Sequence, residues 1–303
     1  MPNGAGFAQN VRVRPIILAV ILAATAAVFA QSPVMEKQLL FGGASAKGWS
    51  PAESTVEVST ARVKVGPVAL HWHVTVDYYA GEKNYPIGWP RFGRAIPEGP
   101  QRDWSAWDYL HAWIYTDTTR AALPKEAVGL GIQAPDKATT FHRPLAELKK
   151  GEWVEITVPV SALPQPGDVR NIQFHIGEAN YKHADQLDLF IDDLALLRYA
   201  QPTILDFAAE TAVMFTGERV MPVKLKLVGV QPGQRAELAC ELRRDGQTVA
   251  QATASAERGP QRIALDLGKK KLPPGDYELA ARVAGNPQPA TAKVRLVESP
   301  WRK

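Results

Sequence analysis

The stretch Leu187-Asp188-Leu189-Phe190-Ile191-Asp192-Asp193-Leu194-Ala195-Leu196-Leu197 alternates apolar and acidic residues at its start and is almost wholly apolar at its end. A period of two places successive side chains on opposite faces, so the segment predicts a β-strand with one face in a core. Upstream, Gly151-Glu152-Trp153-Val154-Glu155-Ile156-Thr157-Val158-Pro159-Val160 shows the same period between turn residues. Paired in this way, such strands build a two-sheet β-sandwich, and neither stretch holds a nucleophile beside a base.

Before them comes Asp103-Trp104-Ser105-Ala106-Trp107-Asp108-Tyr109-Leu110. The three segments together resemble the galactose-binding-like jelly rolls used as carbohydrate-binding modules, whose strands read Trp-Ser-x-aromatic-Asp-x-Leu, Gly-x-Trp and Phe-x-Ile-Asp-Asp-hydrophobic-x-Leu in that order. The resemblance spans residues 36 to 199. It implies a jelly-roll domain with a poly- or oligosaccharide as partner.

Arg12 and Arg14 precede an uncharged apolar run from Ile16 to Phe29, and small residues lead to Val28-Phe29-Ala30 before Gln31. That order is the n-region, h-region and cleavage site of a secretory signal peptide over residues 1–30, with cleavage after Ala30. An uncleaved anchor is the alternative, but the run is shorter than the ~20 residues that span a bilayer. The mature chain is expected to be secreted or periplasmic, with no membrane insertion.

The 303-residue chain is 46% hydrophobic and 22% charged, with 24 Pro and 23 Gly, a composition suited to turn-rich folded domains. Its remaining length fits two sandwiches better than one. From Gln201 onward there are 16 Lys/Arg against 11 Asp/Glu, while residues 31–200 have 17 against 20. So small an excess, spread over many strands, argues against nucleic acid as a partner. Cys240 is the single cysteine, which excludes an intramolecular disulfide. Its place on the apolar side of Leu238-Ala239-Cys240-Glu241-Leu242 predicts a buried thiol.

Beyond Tyr199-Ala200-Gln201-Pro202, short alternating segments separated by Gln231-Pro232-Gly233 and Asp245-Gly246 predict an antiparallel sandwich of about seven strands over residues 202–298. Its Pro274-Gly275-Asp276-Tyr277-Glu278-Leu279 turn and strand resemble the last hairpin of immunoglobulin-like and fibronectin-III-like domains of bacterial exported proteins. The resemblance implies a spacer or a docking module for another exported protein.

Face by face, Leu70, Trp72, Val74 and Val76 form an inner row, leaving His71 and His73 outside. Leu110, Ala112 and Ile114 leave His111, Trp113 and Tyr115 outside, and Ile172, Phe174 and Ile176 leave Gln173 and His175 outside, with Gln133 on an outer row as well. If these strands are neighbours in one concave sheet, as the resemblance implies, His71, His73, Trp113, Tyr115, Gln133, Gln173 and His175 line one cleft. Tyr85, Trp89 and Arg91, in the long Tyr78–Trp107 connection, wall its end. Aromatic faces beside amides and imidazoles suit a sugar ring. The bland alternative is that the same residues are a covered polar interface.

Two metal readings stand beside this one. His71, His73 and His175 offer imidazoles to a transition metal, and Asp192 matches the position where related jelly rolls hold a structural calcium. No cofactor is expected on balance. The sequence thus predicts an all-β chain, a jelly-roll β-sandwich followed by a smaller immunoglobulin-like β-sandwich. Its expected role is glycan binding without catalysis. A metal-dependent or lyase-like jelly-roll enzyme and a structural envelope protein are the competing classes.

Overall fold

A computed structural model describes residues 34–41, 45–80, 88–269 and 271–301. The expected signal peptide and Tyr85 lie outside the described residues. Within those residues the chain is all-β and no helix is long and apolar enough to cross a membrane.

The first sandwich contains β1 (Met35–Leu39), β2 (Trp49–Ala52), β3 (Thr55–Ser59), β4 (Ala69–Thr75), β5 (Arg91–Ala95), β6 (Tyr109–Thr118), β7 (Gly129–Gln133), β8 (Phe141–Pro144), β9 (Trp153–Pro159), β10 (Asn171–His175) and β11 (Gln186–Tyr199). One sheet runs β3-β4-β11-β6-β9, with β1 also on β11, and the facing sheet runs β2-β5-β10-β7-β8. All their pairings are antiparallel.

The inner rows of β4, β6, β10 and the start of β11 are those the alternation predicts, and β5 adds Phe92. Leu70, Trp72, Val74, Ile114, Leu187, Leu189 and Ile191 of the first sheet, with Phe92, Ile172 and Phe174 of the second, are buried. Trp72 packs on Phe92 with ring centroids 4.8 Å apart, and Phe92 stacks on Phe174 at 5.2 Å, so aromatic rings tie the two sheets together. In β11 the alternation changes phase. A bulge between Asp192 and Ala195 puts Asp193 at φ 53°, and the inward positions move from Leu187, Leu189 and Ile191 to Leu194 and Leu196.

The second sandwich has eight strands where the spacing predicted about seven. They are β12 (Thr203–Ala209), β13 (Val213–Phe215), β14 (Val220–Val228), β15 (Ala236–Arg244), β16 (Gln247–Ala256), β17 (Gly259–Asp266), β18 (Gly275–Val283) and β19 (Asn286–Val297). A three-stranded sheet, β12-β14-β17, faces a five-stranded one, β13-β19-β18-β15-β16. The additional short strand, β13, runs parallel to β19. Cys240 is fully buried in this core, and burial pushes its thiol up to about 11, away from reactivity.

Arg258, in the turn before β17, joins the two sandwiches. Its guanidinium donates to the Ser105 and Trp107 carbonyls and lies 2.8 Å from the Asp108 carboxylate, whose other oxygen accepts from the Tyr199 N–H at 2.9 Å.

Candidate functional site

The single cleft expected from the sequence does not form, because its strands belong to different sheets. His71 and His73 lie on β4 and Trp113 and Tyr115 on β6, in the first sheet. Gln133 on β7, and Gln173 and His175 on β10, lie in the second. Their outward faces point away from one another across the core. A His71/His73/His175 metal site is excluded for the same reason.

The part of the first sheet's outer face around Trp113 and Tyr115 is roofed by its own chain. The connection from β3 to β4 crosses it, pinned by Asp192, whose carboxylate accepts from the amides of Lys64 (2.7 Å), Val65 (2.7 Å), Gly66 (3.3 Å) and Asp193 (2.7 Å). The expected calcium ligand is therefore turned to backbone amides. Above the aromatics, the Arg62 guanidinium lies 4.4 Å from the Tyr115 ring centroid, and the Lys64 ammonium 4.6 Å from that of Trp113. Tyr115 is buried with Ala69 and Phe190 in a small apolar cluster, Trp153 packing at its side. Trp113 and Tyr115 thus serve as the bed of a loop instead of an open platform.

Among the described residues, the outer face of the second sheet is half exposed. Across its middle, Arg91, His175 and Gly129 form one outward row, and Gly93, Gln173, Gly131 and His142 form the next. Glycines on the flanking strands leave β10 at the floor of a groove. A Cβ at Gly129 would overlap the His175 imidazole, so the floor depends on that glycine. At one end lies a cavity of about 280 Å³ lined by Trp89, Glu126, Gly129, His142, His175 and Asn180 among others. At the other, Asn171 donates to Gln133 at 3.2 Å and Gln133 to Gln173 at 3.5 Å, an amide ladder along the face.

Trp89 is 43% exposed, yet its backbone is fixed. Its N–H donates to the Glu53 carboxylate at 2.8 Å, and the Gly88 N–H donates to Glu178 at 2.9 Å. A side chain at Gly88 would overlap both carboxylates. Glu178 is buried, which pushes its carboxyl above the ordinary range even though the Asp77 and Gly88 amides favour its ionised form. The indole meets the His175 ring at 5.6 Å and 64°, and Arg91 lies 5.0 Å from its centroid. His142 approaches His175 from the other side at 6.3 Å. Burial, reinforced by His142, holds His175 below its ordinary value and favours the neutral ring.

Of the expected residues, the structure thus gathers Trp89, Arg91, Gln133, Gln173 and His175 on one face and leaves His71, His73, Trp113 and Tyr115 on the other. His142, Asn171 and Asn180 join the groove unpredicted. Alternation within β10 signalled Asn171, but His142 follows only from its register opposite Gly131.

No family model matches the chain, and no curated protein does. Similar solved structures include an exo-beta-agarase, 9% identical over 50% of this chain and 24% of that one, with a TM-score of 0.36. Another is the glycoside hydrolase domain of Endo-D from Streptococcus pneumoniae R6, 9% identical over 82% of this chain and 37% of that one, at 0.27. An FMN-binding beta-glucuronidase from Facaelibacterium prausnitzii L2-6 is 11% identical over 88% and 40%, at 0.24. The chain spans about a quarter to two fifths of the length of these proteins. Scores this low carry no function across.

Proposed function

We propose that this chain is an exported glycan-binding protein that acts by binding and not by catalysis, with its site on the outer groove of the second sheet. The observation that carries this reading is Trp89, a 43% exposed indole anchored through backbone hydrogen bonds at the mouth of a polar groove. A sugar ring offers an apolar C–H face to such an indole and hydroxyls to the amides and imidazoles beside it. The cavity of about 280 Å³ is near the lower end of small-molecule sites, a scale suited to one ring of a longer chain lying along the amide ladder.

Outside the β3–β4 and β7–β8 hairpins, successive strands alternate between the two facing sheets, which supports the jelly-roll reading of the first sandwich, and the two-sheet second sandwich supports the immunoglobulin-like one. The second sandwich, clamped through Arg258, acts as a spacer or docks another exported protein. Export itself rests on the N-terminal sequence.

The test is retention of the full chain on a panel of immobilised polysaccharides, with Trp89→Ala beside it. Binding to at least one glycan, lost in the variant without a change in melting temperature, is the expected result. No binding across the panel would overturn the reading.

A further inference from the structure

On the opposite sheet, and independent of the glycan groove, three donors converge. The His71 Nε2 lies 2.7 Å and the His73 Nδ1 2.8 Å from one oxygen of Asp188, and the three donor atoms lie within 4.8 Å of one another. The cluster follows from register, since β4 and β11 pair so that His73 faces Asp188 and His71 faces Phe190. Nothing in the sequence spacing joins residues so far apart.

The far nitrogen of each ring also meets an oxygen. Glu57 stands 3.3 Å from the His71 Nδ1, and the Thr75 hydroxyl 3.3 Å from the His73 Nε2. Such outer partners fix tautomer and ring orientation in metal-binding histidines. Phe190 adds a mechanical constraint, stacked on His71 with centroids 4.3 Å apart and planes within 1°.

A carboxylate only accepts hydrogen bonds, and a neutral imidazole has one N–H for the two acceptors that flank His71, Asp188 at 2.7 Å and Glu57 at 3.3 Å. A cation bound at Nε2 and shared with His73 and Asp188 takes the place of the hydrogen there and leaves the N–H on Nδ1 for Glu57. Two imidazoles and a carboxylate are the donors of a divalent transition-metal site, with bonds of ~2.0–2.2 Å for zinc.

We infer that His71, His73 and Asp188 bind one divalent transition-metal ion of the zinc class on the outer face of the first sheet. The side chains remain 17%, 34% and 32% exposed, so the ion is reachable from solvent and keeps a position open to water or to a donor from a partner. Glu57 and Thr75 are positioning residues that act through the rings.

The experiment is calorimetric titration of the tag-free full chain with Zn²⁺, paralleled by the visible spectrum with Co²⁺. One Zn²⁺ per chain and a cobalt d–d band are expected. His73→Ala and the closer mimic Asp188→Asn should each weaken binding at least a hundredfold with the melting temperature of the metal-free protein retained. Glu57→Gln should weaken it about ten- to hundredfold, and His183→Ala, outside the cluster, should bind as the parent does. Absence of stoichiometric zinc, or undiminished binding in folded His73→Ala or Asp188→Asn, would overturn the assignment.

Discussion

The Trp89 indole stands edge-on to the His175 imidazole, centroids 5.6 Å apart, and so ties the chain entering β5 to the central strand of the second sheet. Each holds the other at the groove. His175 fills the floor space that Gly129 leaves open, and Trp89 rises beside it on backbone held by Glu53 and Glu178. Replacing Gly129 by Ala should displace the imidazole and weaken glycan retention more than it lowers the melting temperature. Equal losses of binding and stability would deny the groove a role of its own.

Acid should destabilise the fold through a buried histidine, His111, and a half-buried one, His175. Burial holds both His111 and His175 below the ordinary value of 6.5, His111 in spite of Asp193 and Glu155 nearby. The unfolded chain therefore takes up protons first as pH falls, so their contribution is complete above about 6.5 and is lost progressively below it. Urea midpoints measured from pH 7.5 down to 5 should fall, and His175→Gln should flatten the slope. A midpoint that rises toward acid would contradict the assignment.

Asp192 closes the roof over the first sheet with a carboxylate that is almost wholly buried. Asp192→Ala leaves four amides to find new partners, at a cost of about 3 kcal/mol. Hydrogen exchange should show the 60–68 segment opening while the inner strands stay protected. If the segment's protection is unchanged, Asp192 does not anchor it.

The joint between the sandwiches rests on Arg258 and the buried Asp108. Removing the cation alone leaves a buried acid without its partner, a loss of about 3–5 kcal/mol. Arg258→Met should therefore lower stability by that order, and adding Asp108→Asn should restore part of it. Strict additivity in the double-mutant cycle would mean that the two do not couple.

The faces of β4, β6 and β10 were legible in the sequence, but the sheet each strand joins was not. Period-two alternation put Trp72, Ile114 and Phe174 inside and Trp113, Gln173 and His175 outside, as the structure does. Alternation says nothing about partners, so β4 and β6 were grouped with β7 and β10 although they lie in opposite sheets. The strand β5 went unpredicted because Arg91-Phe92-Gly93-Arg94-Ala95 shows little alternation and follows a Pro-rich loop. The covering of Trp113 by Lys64, and the meeting of His71 with Asp188 across 117 residues, depend on register and on a loop's return path, neither of which a local pattern records. The phase change at Asp193 is likewise invisible in an apolar run.

Trp72→Ala, on the core side, should cost about 3–5 kcal/mol of stability, as large core truncations do. A stable Trp72→Ala protein would put the assigned inner and outer faces in error.

The proposed glycan site assigns the stacking role to Trp89 and not to the other outward tryptophan, Trp113. Retention of the full chain on a polysaccharide panel should be measured side by side for the parent, Trp89→Ala and Trp113→Ala. Loss of an exposed stacking platform is worth about 1–3 kcal/mol, or roughly ten- to hundredfold in affinity. Trp89→Ala should show that loss at an unchanged melting temperature, and Trp113→Ala, under Lys64, should bind as the parent does. Retention abolished by Trp113→Ala and untouched by Trp89→Ala would place the site on the other sheet and contradict the account.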